Sequence, residues 1–151
     1  MENAVYYLSR NKEGEKSKKD DAGSVAGAIA AGAQTSAYAI SKHTFVSNTD
    51  ILFIGCEVSG GKIPGKFRDM LKKLQSEEVK YVALFSVIKS GTQSALNQIK
   101  PILESRGLKI CNEEFSCPGS SMFKNKGCPT EEDFKKAREF GAMILSKYRK
   151  L

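Results

Sequence analysis

The amino-acid sequence predicts an α/β domain, a three-layer fold in which a doubly wound, five-stranded parallel sheet carries helices on both faces. Three observations lead there. Ile51, Leu52, Phe53 and Ile54 form an apolar run without polar alternation, and residues 81–88 form a second, the pattern of strands buried on both faces. Strand-like and helix-like stretches alternate five times along the 151 residues, a length that suits a single domain spanning residues 1–151. Strand–helix–strand units cross over right-handedly, which turns that order into a doubly wound sheet.

Residues 5–8 read as the first strand, ended by the polar Ser9, Arg10 and Asn11. Residues 11–23 are charged, glycine-containing and long for a strand-to-helix connection, and residues 11–22 are expected to be the least ordered internal segment. The alanine-rich residues 24–33 place Val25, Ile29 and Gly32 along one side of a helix whose small residues permit close approach to a sheet. Residues 36–41 make a short edge strand around Tyr38 and Ile40, and His43, without an identifiable ionisable partner, reads as a surface residue of the connector that follows.

The central strand begins after Asp50 and is expected to end at Gly55. Beyond it residues 56–62 form a loop, in which Gly60 and Gly61 permit conformations that a Cβ resists. Pro64 suits a first helical turn, and Phe67, Met70, Leu71 and Leu74 then recur at spacings of three and four. Residues 81–88 form the next strand, followed by the turn Lys89-Ser90-Gly91-Thr92. Ala95, Ile99, Ile102 and Leu103 mark a helix in which Pro101 removes one donor and is expected to bend the second half, with Arg106-Gly107 as its C-cap. The last strand starts at residues 108–111 and is expected to be split before the glycine- and proline-containing stretch that ends at Pro129. Thr130 and Asp133 are spaced as a capping box, and Phe134, Ala137, Phe140, Gly141 and Ile144 continue in helical register.

Composition narrows the function classes. An apolar fraction of 40% and a charged fraction of 27% are those of a globular protein, and no apolar run approaches membrane-spanning length. The N-terminal residues show no basic leader or cleavage-like site, so a cytoplasmic protein without a membrane partner is expected. The four cysteines lack Cys-x-x-Cys spacing and there is one histidine, which argues against a metal site; Cys117 and Cys128 share a loop-rich stretch and could meet. The net charge of +7 is dispersed apart from Lys16, Lys18 and Lys19, with no interleaved aromatics. This reads as solvated surface rather than as a nucleic-acid interface.

In Asp50-Ile51-Leu52-Phe53-Ile54-Gly55 with Gly61-Lys62-Ile63-Pro64, in residues 80–85, and in residues 114–119 leading to residues 126–133, the chain resembles the short-chain flavodoxin domain over nearly its whole length. The last segment is similar to a Glu-Phe-x-Cys-x-Gly element and a later Gly-His-Pro element, with Cys128 in place of the histidine. The resemblance implies strand order 2-1-3-4-5 and FMN bound at the carboxyl ends of the strands. It also implies an electron-transfer flavoprotein or FMN-dependent oxidoreductase with a redox partner protein, in which flavin does the chemistry. By position the cofactor would touch Ser9, Arg10 and Asn11 in the first loop, Cys56, Glu57, Val58, Ser59, Gly60 and Gly61 in the second, and Ser86, Val87, Ile88, Lys89 and Gly91 in the third. Backbone groups of the last two loops would hold the flavin edge, no side chain would be catalytic, and Glu57 would lower the flavin potential.

The chain also departs from that family. Lys19-Asp20-Asp21-Ala22 stands where the phosphate loop reads Thr-Gly-Asn-Thr, so two carboxylates face the phosphate position. Neither flavin loop offers Tyr or Trp for stacking, which leaves Val58, Ile88 or Phe123. Electron-carrying members are generally acidic, whereas +7 steers toward partners of the opposite sign. These departures support an alternative, a flavodoxin-like domain that has lost FMN and acts as a binding or regulatory module.

Overall fold

The computed structural model describes residues 2–8, 20–120 and 127–149. Five parallel strands, β1 (Glu2–Tyr7), β2 (Ala37–Ala39), β3 (Thr49–Val58), β4 (Val79–Ile88) and β5 (Ile110–Pro118), form one sheet in the order β2-β1-β3-β4-β5. The helices are α1 (Asp21–Gly32), α2 (Gly65–Leu71), α3 (Lys100–Ser105) and α4 (Glu131–Tyr148), with a 3₁₀ turn at Gln93–Gln98. The doubly wound three-layer fold and the order 2-1-3-4-5 are as the sequence predicts.

Side-chain parity along the strands decides which layer each residue meets. Ile51 and Phe53 of β3 and Ala83, Phe85 and Val87 of β4 pack with α1 and α4, while Leu52, Ile54, Cys56 and Val58 and Val82 and Leu84 pack with α2 and α3. Phe53 is fully buried and meets Phe140 edge-on at 6.1 Å; burying such a ring contributes about 1.5–3 kcal/mol. The small residues of α1 serve the sheet, where Ala26 and Ala30 join its core, and a helix as well. A Cβ on Gly32 would lie 1.9 Å from the Arg138 carbonyl oxygen, and one on Gly141 would lie 2.1 Å from that of Ile29, so α1 and α4 touch backbone to backbone.

Four expectations are corrected. β3 does not end at Gly55: it runs to Val58, and Gly55 is required inside it because a Cβ there would meet the Phe85 ring at 2.4 Å. Pro101 does not bend a long helix, because the segment divides into the 3₁₀ turn and α3 and Pro101 lies in the first turn of α3, where its missing N–H costs nothing. β5 is continuous, with a register irregularity between Val82 and Leu84 of β4. The α1 helix starts at Asp21 with Asp20 as its N-cap, so Asp21 and Ala22 belong to it and both are buried; residues 11–19 of the segment expected to be least ordered lie outside the described residues. The Thr130–Asp133 capping box forms as predicted, with Asp133 N donating to Thr130 Oγ1 and Thr130 N to Asp133 Oδ2. No described helix is long and apolar enough to cross a membrane.

Candidate functional site at the carboxyl edge of the sheet

The chain reverses its winding between β1 and β3, and ligands of open α/β sheets lie outside the strand ends at such a point. Here three side chains converge. Glu57 and Lys89 continue the faces of Phe53 and Phe85 by strand parity, and so project toward α1. Lys89 has a buried side chain, 8% exposed, whose Nζ donates to Asp21 Oδ2 at 2.5 Å and to the Ser120 carbonyl at 2.5 Å. Asp21 is 0% exposed, and its Oδ2 also accepts from Ser120 N at 2.9 Å and Ser120 Oγ at 2.8 Å. Glu57 Oε1 lies 3.9 Å from Lys89 Nζ. Gly119 makes room for the lysine stem, since a Cβ there would approach Val87 at 2.6 Å and Lys89 Cδ at 3.1 Å.

Burial pushes the Asp21 carboxyl up, but the hydrogen bonds from Lys89 and Ser120 and the Lys89 charge outweigh it and hold it below the ordinary carboxylate value. The neighbouring Asp20 caps α1: its Oδ1 accepts from Gly23 N at 3.0 Å, satisfying one orphan donor of the helix N-terminus. The positive end of α1 therefore faces two carboxylates of its own chain.

Beside this cluster, the turns after β3 and β4 close on each other. Lys89 N donates to the Val58 carbonyl at 2.8 Å, Gly60 N to Ser90 Oγ at 2.6 Å, and Gly61 N to the Ser90 carbonyl at 3.3 Å. Gln98 Nε2 donates to the Gly61 carbonyl at 2.9 Å, and Arg68 in turn holds Gln98 Oε1 at 2.7 Å. Gly91, at φ +91°, lies so near Gly61 that a Cβ would come within 2.4 Å of its nitrogen.

The residues singled out from the sequence therefore separate. Cys56, Glu57, Val58, Ser86, Val87 and Ile88 are strand residues, not loop residues. Cys56, Val58, Ser86 and Val87 are buried, and Ser86 shares a 2.7 Å hydroxyl contact with Ser116. Val58 is thus unavailable for stacking. Ser59, Gly60, Gly61 and Gly91 do lie in the two turns. Ser9, Arg10, Asn11 and Phe123 lie outside the described residues. Sequence reading missed the Asp21–Lys89–Ser120 cluster; the signal was parity, because Lys89 falls on the same face as Phe85 and Val87. Burial pushes the Cys56, Cys111 and Cys117 thiols up to about 12, so they are protonated at neutral pH and poor nucleophiles. No disulfide joins Cys117 to Cys128, and no metal-binding cluster occurs among the described residues.

No protein-family model matches the chain, and no curated protein does. Solved structures do. A flavodoxin from the domain Archaea aligns at TM-score 0.72 and 16% identity over 99% of both chains. Flavodoxin 2 of Bacillus cereus aligns at 0.68 and 16%, over 98% of this chain and 100% of that one, and an apo NADH:FMN oxidoreductase at 0.67 and 11%, over 98% and 90%. The fold is flavodoxin-like.

The site does not fit FMN held in the manner the resemblance implies. The helix N-terminus is capped by Asp20, the buried Lys89 is engaged by Asp21, and the Gly60, Gly61 and Lys89 amides serve the protein itself. Freeing Lys89 from Asp21 to serve an anion would break a buried pair, which costs about 3–5 kcal/mol.

Proposed function

We propose that this chain is a flavodoxin-like binding module that works without FMN. The observation that supports this reading is the buried Asp21–Lys89 pair, in which the first turn of α1 and the cation after β4 satisfy each other. The mutual closure of the turns containing Gly61 and Gly91 supports it, because a planar ring entering between them would break main-chain hydrogen bonds. With a net charge of +7, the partner is expected to present an acidic surface, and association should slow with salt.

A second reading is an FMN-dependent electron-transfer protein, supported by the names of the structural neighbours, which include flavodoxins and an NADH:FMN oxidoreductase. Titration of the purified chain with FMN at low ionic strength separates the two. The module reading expects unquenched flavin fluorescence and an unchanged Tm. Saturable quenching with a yellow, thermally stabilised protein would overturn it in favour of the second.

A further inference from the structure

We propose that the sheet face over β1 and β2, on the side of α2, is a docking surface for an acidic amphipathic helix of a partner protein. This rests on the module reading for the acidity of the partner alone. Three of the four crossovers between strands carry helical segments, whereas residues 40–48 return from β2 to β3 without one. Burial shows the consequence. On the α2 side, Leu52 and Ile54 of β3 are 0% exposed, but Tyr6 of β1 and Leu8 after it are half-buried, Tyr38 of β2 is 52% exposed and Phe45 is 62% exposed. Tyr6 and Tyr38 are partners across the strands, with ring centroids 5.6 Å apart. Ile40 and Val46 both pack into the core on that side, so Phe45, next to Val46, stands beside the same face. Aromatic side chains gathered on an uncovered sheet face mark an interaction site.

Width, charge and the remainder of the chain specify the occupant. Two strands present about 10 Å of sheet, the width of one α-helix, and β2 is three residues long, too short a template for an added strand. Arg68 reaches Gln98, so that flank of α2 faces the 3₁₀ turn and α3. Lys66 lies about 200° round the helix from Arg68 and therefore on the flank toward β1. Lys42, Lys66 and Lys73 are exposed and take part in no ion pair among the described residues. The acidic residues of this side are Asp69, on the crest of α2, and Glu2 and Asp50, at the amino ends of β1 and β3. Lys42 and Lys66 lie toward the carboxyl ends, where the partner's carboxylates are expected. Three lysines interrupted by Asp69 suit the carboxylates of one helix better than the serial charges of a nucleic-acid backbone. Residues 9–19 contain no apolar side chain, and residues 121–126 leave from β5, about 19 Å across the sheet from β2, so neither supplies the cover. A second copy would bring another +7 to the same face.

The probe is a helical peptide of about 15–20 residues with Leu at i, i+3, i+4 and i+7 and Glu at most other positions, titrated into the full chain at low salt and followed by amide chemical shifts. The controls are a peptide with Lys in place of Glu, a scramble of the same composition, and a single-stranded oligonucleotide. Saturable shifts at Tyr6, Tyr38, Phe45 and Lys66 are expected with the acidic peptide and not with the controls, and the affinity should fall with salt. Phe45→Ser should weaken binding about tenfold or more, because it removes aromatic area that the peptide buries, and Lys66→Glu/Lys73→Glu should weaken it about tenfold. The three side chains are exposed in the free chain, so Tm should stay near native. Absence of binding, binding that leaves these shifts in place, or equal binding of the scramble overturns the proposal. Oligonucleotide binding at these residues in place of the peptide overturns it in favour of nucleic acid, and a dimer that Phe45→Ser dissolves overturns it in favour of a second copy. FMN uptake together with peptide binding at this face overturns the module reading and supports the surface, whereas neither FMN uptake nor peptide binding overturns this proposal alone.

Discussion

The two halves of the carboxyl edge are closed by different physics. On the α1 side, closure is electrostatic: Asp21 and Lys89 meet at 2.5 Å with side-chain exposures of 0% and 9%, and Ser120 supplies the remaining donors. On the side of the turns after β3 and β4, closure is steric and made by main chain, with Gly60, Gly61 and Gly91 at positive φ and Ser90 bonded to both Gly60 and Gly61. The first kind of closure can be undone by changing one charge, whereas the second requires the backbone to be rebuilt.

The sharpest way to break the electrostatic half is to remove one partner. Lys89→Met or Asp21→Ala is expected to lower stability by about 3–5 kcal/mol, because each removes the 2.5 Å counter-charge of a desolvated group. The double variant Asp21→Ala/Lys89→Met should lose less than either single change, since both members of the desolvated pair are then removed together. Urea unfolding of the four proteins measures this, and additive losses would show that the pair is not a coupled unit.

Gly91→Ala probes the steric half and should cost about 1–3 kcal/mol from the positive φ alone. Contact with the Gly61 nitrogen at 2.4 Å adds to that, because main chain cannot move aside as a flexible side chain can. Chemical shifts at Gly60 and Gly61 should move with the loss, while those of Ser120 stay in place. A Gly91→Ala protein as stable as native would mean that the two turns are not locked to each other.

The same contrast explains what was legible in the sequence. Apolar runs, helical spacings and the Thr130 cap disclosed the elements and the layers, because each depends on local pattern, and the family-like segments implied the strand order. The position of Gly55 within β3 was not legible: a glycine after an apolar run signals a strand end, and only the facing Phe85 ring gives the other reason for it. Pro101 likewise marks a helix start or a kink equally well until the preceding 3₁₀ turn is known. The candidate site was half legible. Asp20 and Asp21 stood out as carboxylates at a phosphate position, but the cation that meets Asp21 is 68 residues away in sequence, and Lys89 looked like an ordinary turn lysine.

Acid stability offers the smallest effect and the finest resolution of the electrostatic half. The Asp21 carboxyl is held below its ordinary value in the folded protein, despite burial, by its bonds from Lys89 and Ser120 and by the lysine charge. A carboxyl so lowered contributes stability that is complete above its unfolded pKa and is lost as pH falls through its folded pKa. Glu113 shifts in the same direction through Lys147 and Tyr148, so the native curve alone mixes two sources. The difference between native and Asp21→Asn isolates one of them: stability should differ most near neutral pH, and the gap should narrow only once pH drops below the ordinary carboxylate range. Lys89→Met should shrink that narrowing, because without the ammonium the two lowering contributions of Lys89 are lost while the burial of Asp21 remains, and its carboxyl rises. A gap between native and Asp21→Asn that is constant from neutral pH down to acid unfolding would mean that Asp21 is not held ionised by Lys89. The closure of the α1 side would then rest on hydrogen bonds to Ser120 rather than on charge.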